Sequence, residues 1–192
     1  MRRFSLTVAW LFPVALLAAD GTAPVTILDC AGDAPPENIK LCKSSDNDKC
    51  VTLMDKEQSC IRLEQHGGPS GGYWVITVKE KVNVKDHRYL KLEARSEPAA
   101  EMNIAFMTTT GKGQESFSTS FALVKEWKTY YIPLTQNDYG RGGFKFGRFF
   151  DGSDNDVFRA GRLTAVWMTP WAPTKRIFYV RDLRLTSEDR SD

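Results

Sequence analysis

Aromatic rings set beside hydrogen-bonding side chains are the most chemically suggestive feature of this sequence. Tyr139-Gly140-Arg141 puts a phenol and a bidentate donor into one turn-rich segment. Trp171 stands between Pro170 and Ala172-Pro173-Thr174, where burial is hard, and Tyr73-Trp74 follows a glycine-rich stretch. A pyranose offers a patch of C–H groups to such rings and hydroxyls to neighbouring Arg, Asn, Asp, Gln or Lys. The expected ligand-binding residues are therefore Trp171, Tyr139, Arg141, Tyr73 and Trp74, and the expected partner is a poly- or oligosaccharide. Trp167 alternates with Ala165 and Thr169 in an apolar run and reads as platform or as core.

Covalent chemistry finds less to work with. His66 and His87 are the two histidines, neither lies in a nucleophile motif, and no paired-histidine metal spacing occurs. Glu64, Glu80, Glu93, Glu101, Glu115 and Glu126 are available, but a glycosidase needs two carboxylates held across a cleft, and spacing singles out no pair. No catalytic residue is assigned. A secreted polysaccharide-active enzyme (a lyase or glycosidase) and a protein-binding adhesion or assembly module stand as alternatives to a noncatalytic glycan binder.

The start of the chain reads as a targeting segment. Met1-Arg2-Arg3 precedes a nearly uncharged apolar run that closes in Leu16-Leu17-Ala18-Ala19, the pattern of a secretory leader. Pro13 and a length under the ~20 apolar residues of a spanning helix disfavour an uncut anchor. Cleavage after Ala19 leaves 20–192 as one domain, secreted or periplasmic. Removal of Arg2 and Arg3 lowers the 26 basic residues to 24, equal to the 24 acidic ones. A neutral chain argues against nucleic acid or an anionic membrane as partner.

Export bears on Cys30, Cys42, Cys50 and Cys60, which fall within one short stretch. In an oxidising compartment they are expected to form two disulfides of undetermined pairing, pinning 31–59 as a loop insertion over about 30–60. Zinc is the competing reading, although the close cysteine pairs of structural zinc sites are lacking. The acidic stretch 46–48 lacks the glycine and distal glutamate of an EF-hand loop, whereas the denser stretch 151–156 reads as a solvated loop, with calcium as its alternative.

From Cys60 onward alternation dominates. Leu90, Leu92 and Ala94 share one face, Met102, Ile104 and Phe106 repeat the period of two, and similar runs occupy 73–78, 116–123, 128–134, 163–169 and 177–185. Glycine-rich and acidic turns separate them. This pattern predicts an all-β, antiparallel sandwich or barrel, with room for a short helical turn near 144–150 or 156–161.

The order of the runs is recognisable. The strand Glu126-Trp127-Lys128-Thr129-Tyr130-Tyr131-Ile132-Pro133-Leu134 and the closing run Arg176-Ile177-Phe178-Tyr179-Val180-Arg181-Asp182-Leu183-Arg184-Leu185 resemble the corresponding strands of jelly-roll carbohydrate-binding modules with the galactose-binding-like fold. The resemblance covers about 60–185, with 25–30 as a first strand. It implies a core position for Trp127 and a structural calcium ion held in part by Asp29 and Asp182. Arg181 departs from the pattern, standing where such modules often carry the first of two aspartates.

Overall fold

The computed structural model describes residues 22–43, 49–66, 72–109, 113–136, 144–149, 161–170 and 175–188, with the backbone alone at 145–149 and 170. Strands run in chain order as β1 (Val25–Leu28), β2 (Ile39–Lys43), β3 (Cys50–Asp55), β4 (Cys60–Gln65), β5 (Gly72–Asn83), β6 (Tyr89–Glu97) and β7 (Ala100–Thr109). They continue as β8 (Gln114–Leu123), β9 (Lys128–Pro133), β10 (Lys145–Phe149), β11 (Arg162–Pro170) and β12 (Arg176–Thr186), with one 3-10 turn at Val84–Asp86.

Two six-stranded sheets form the sandwich. The first has the order β3-β4-β12-β6-β9, with β1 also paired to β12; the second has the order β10-β8-β7-β11-β5-β2. The strand pairings are antiparallel, as expected from alternating strands joined by polar turns. The inward sets meet between the sheets: Ile61, Leu63, Leu90, Leu92, Phe178 and Val180 from the first, Trp74, Ile76, Ile104, Phe106, Val166 and Met168 from the second.

A bulge in β12 between Arg181 and Arg184 corrects the phase of that strand. Phe178 and Val180 point inward before it and Leu183 and Leu185 after it. The shift from even to odd positions is absorbed at Asp182, whose φ of 55° lies in the left-handed region that aspartate tolerates better than branched residues do.

The all-β sandwich matches the reading of the sequence, but the cysteine-bearing stretch does not. In place of a loop over 31–59, β2 closes one edge of the second sheet and β3 one edge of the first. Ile39 and Leu41 alternate with Lys40, and Thr52 alternates with Val51 and Leu53. The surrounding Asp, Lys, Ser and Pro content hides this period. The helical turn expected near 144–150 is also corrected, because Lys145–Phe149 pairs with β8 as a strand.

The structure carries all four cysteines as thiols, which corrects the expected disulfides. Register supplies a reason for one pairing: Cys50 faces Gln65 and Cys60 faces Asp55, at opposite ends of the β3–β4 hairpin. Cys42 sits on β2 of the other sheet, opposite Tyr73. Desolvation by burial pushes both Cys30 and Cys60 up to about 11.

Candidate functional site

Strand alternation turns Tyr73, Val75 and Thr77 of β5 away from the core while Trp74, Ile76 and Val78 enter it. The ladders carry the outward positions across the second sheet. Trp167 stands opposite Val75 on one side and Ala105 on the other. Ala105 in turn faces Ser118, and Lys40 faces Val75 from the edge strand. In the adjoining row Cys42 faces Tyr73, Thr169 faces Asn103, and Asn103 faces Ser120.

Two rings therefore stand beside a floor of short side chains. Tyr73 and Trp167 are half-buried and stack with centroids 5.2 Å apart and planes inclined by 28°. Beside them lie Ala105, Ser118 and Ser120, none larger than a hydroxymethyl group, and in the next row the buried Met107 faces Ser116. The Asn103 side-chain nitrogen donates to the Thr119 carbonyl and to Ser120 Oγ, both at 3.1 Å, which fixes the amide and leaves its oxygen as an acceptor. Burial, and next the adjacent Cys42 thiol that hydrogen-bonds it, push the Tyr73 phenol above its usual range. It stays protonated near neutral pH, able to donate as well as accept. Exposed ring surface next to fixed hydroxyl and amide groups suits a ligand that is flat and apolar on one side and hydroxylated at its rim.

The outer face of the first sheet is built differently. Arg95 lies 3.7 Å from the Tyr179 ring centroid and Arg181 lies 4.3 Å from that of Trp127. Arg181 donates to Glu93 at 2.6 Å, Arg95 pairs with Glu97, and Arg62 pairs with Glu64, which also meets His66 at 2.8 Å. Gln58, from the β3–β4 turn, ties this face together. Its Oε1 accepts from Arg95 and from the Trp127 indole at 3.3 Å, and its carbonyl accepts from Arg181 at 3.3 Å. The rings here are covered by guanidinium groups, and the guanidinium groups are held by carboxylates.

The expected site residues divide accordingly. Tyr73 lies on the outer face of the second sheet. Trp74 is corrected: it is fully buried, and its indole donates to Thr52 Oγ1 at 2.7 Å, so it joins the sheets and offers no stacking surface. Tyr139, Arg141 and Trp171 lie outside the described residues, as do the acidic stretches 46–48 and 151–156. Trp127, expected in the core, is half-buried on the outer face of the first sheet, because it shares the outward phase of Tyr131, which faces Lys91. Trp167, Asn103, Ser118 and Ser120 complete the outer face of the second sheet. The Trp167 alternation signalled it, whereas the serines give no sequence signal apart from period two.

Asp29 and Asp182 are a poor donor set for calcium. Asp182 contacts Lys91 at 3.4 Å and pairs with Arg184, while the Asp29 carboxylate accepts the Ala31 N–H at 3.0 Å. Two cations already occupy the Asp182 oxygens that a dication would need. No ion is assigned to these residues. A cleft of about 580 Å³ opens nearby between β1, the segment leading to β2, and β5. Its lining includes Asp29, Glu37, Asn38, Lys79 and Glu80 and, among the described residues, no aromatic ring. Asn38 clasps it shut at one side by donating to the Ile27 and Thr77 carbonyls at 3.0 Å.

Comparison with solved structures places this geometry among known folds. A family 11 carbohydrate-binding module in its solution structure superposes with a TM-score of 0.66 at 17% identity, over 91% of this chain and all 100% of that one. The fold is that of the jelly-roll carbohydrate-binding modules. The family 11 module from Clostridium thermocellum, solved with a β-1,3-1,4-mixed-linked tetrasaccharide, matches with a TM-score of 0.58 at 16% identity, over 84% of this chain and 94% of that one. An agarase matches with a TM-score of 0.62 at 11% identity over 89% of this chain, which spans only 25% of the agarase. No protein-family model matches the sequence, and no curated protein matches it.

Proposed function

We propose that the chain is an exported, noncatalytic glycan-binding module that holds a poly- or oligosaccharide on the outer face of the second sheet. The observation that carries this reading is the Tyr73–Trp167 stack beside the short side chains of Ala105, Ser118 and Ser120. The rings supply apolar contact with a sugar ring, and Asn103, Ser118, Ser120 and Thr169 hydrogen-bond its hydroxyls. Binding is reversible and no bond is made or broken. The tetrasaccharide complexed with the Clostridium thermocellum module and the agarase match suggest mixed-linked β-glucan and agar oligosaccharides as first probes. The leader over residues 1–19 delivers the module outside the cytoplasm.

Titration calorimetry with these oligosaccharides tests the reading. Trp167→Ala is expected to weaken binding about tenfold or more while thermal unfolding stays cooperative, since a half-exposed ring leaves no sealed cavity. Unchanged affinity in folded Trp167→Ala protein would remove the ring stack from the site.

A further inference from the structure

The edge of the first sheet carries a feature unrelated to glycan binding. β3 ends that sheet, and among the described residues no strand pairs with its open side. Exposed edges template association, and soluble proteins usually blunt them with charge, proline or a bulge. Here Val51 and Leu53 are 39% and 43% exposed, two of the three exposed large hydrophobic residues among those described. They project side by side from the outer face, next to Glu64 and Arg62 of β4.

The backbone phase of β3 follows from one bond. His66 donates to the Lys49 carbonyl at 2.7 Å, and the register pairs Val51 with Glu64 and Leu53 with Arg62. Lys49, Val51, Leu53 and Asp55 thus spend their amide groups on β4. The intervening Thr52 and Met54 turn theirs to the open side. An antiparallel neighbour can use those groups only if it pairs positions of the same parity.

We propose that this edge pairs with β3 of a second copy of the chain, antiparallel about a two-fold axis at Thr52. That register sets Thr52 against its own symmetry mate in a hydrogen-bonded pair, and on the outer face sets Val51 against Leu53 and Lys49 against Asp55 of the other copy. An apolar centre is flanked at both ends by opposite charges, which is the self-complementarity that an isologous contact requires. Shifting the axis to Val51 or to Leu53 keeps the parity but separates the Lys49–Asp55 pair, so charge selects the register. The Arg62–Glu64 ion pair forms a polar rim. A contact of one short strand is small, so the dimer is weak and dissociates on dilution.

Sedimentation of the full-length mature chain over a concentration series is expected to show a reversible monomer–dimer equilibrium. Leu53→Lys, at an exposed position, should raise the dimer Kd about tenfold or more, and Lys49→Glu should weaken it too. Amide hydrogen exchange on the unmodified protein gives a readout that needs no variant. Thr52 and Met54 should gain protection as concentration rises, and Val51 and Leu53, already bonded to β4, should not. A chain that stays monomeric up to its solubility limit overturns the proposal. So does a dimer that ignores Leu53→Lys and leaves Thr52 and Met54 exchange unchanged.

Discussion

Trp74 and Trp167 lie on neighbouring strands only one register step apart, since Trp74 faces Met168. One step along a strand reverses the side of the sheet, so the first ring is sealed in the core and the second stands outside. The Tyr73-Trp74 pair announces that one ring faces out without saying which, and the resolving fact is the inward set Trp74, Ile76 and Val78. The cysteines show the same dependence on context. Cys30 and Cys60 hold their protons to about 11, above the ordinary thiol value, so the folded state binds protons more tightly than the unfolded state does. The stability this contributes is complete below pH ~9 and is lost as pH rises toward ~11. Urea midpoints measured across that window should fall, and should fall less steeply in the Cys30→Ala, Cys60→Ala double variant. Equal slopes would show that these thiols do not titrate as their burial requires.

At the level of elements, strand existence was legible wherever alternation ran uninterrupted, as in β6, β7 and β12. It was hidden in β2 and β3, where single apolar residues alternate with Lys and Thr amid loop-like composition. Face assignment was less legible. Trp127 carries the same strand motif as in the resembled modules, yet its environment is fixed by residues distant in sequence, Arg95, Arg181 and Gln58. Arg181, the departure from the closing-strand pattern, is accounted for by this arrangement: it stacks on Trp127 and is held by Glu93, whose hydrogen bond raises its already high pKa. The β3–β4 turn is thus clamped onto the sheet through Gln58. Replacing Gln58 with Ala should cost about 1–3 kcal/mol in chemical denaturation, from lost bonds to charged and indole donors. Glycan affinity should hold, because the clamp lies on the other sheet. A loss of affinity with unchanged stability would put the binding face where the clamp is.

The whole molecule presents two outer faces of opposite design. On the first sheet the rings are roofed by guanidinium groups and neutralised by Glu64, Glu93 and Glu97. On the second, a tyrosine–tryptophan stack borders short polar side chains. Sequence alone supplied the architecture and the idea of aromatic recognition. It could not supply the face, which arises from six strands brought into register across the sheet. Among the described residues, the two faces carry one partly exposed indole each, Trp127 and Trp167, and this permits a direct test. An amide NMR titration of the wild-type protein with mixed-linked β-glucan and agar oligosaccharides should move the Trp167 indole N–H together with the amides of Asn103, Ser118 and Ser120, leaving the Trp127 indole in place. Movement of the Trp127 indole and the β6 and β12 amides, with Trp167 unmoved, would contradict the assignment of the second sheet as the glycan-binding face.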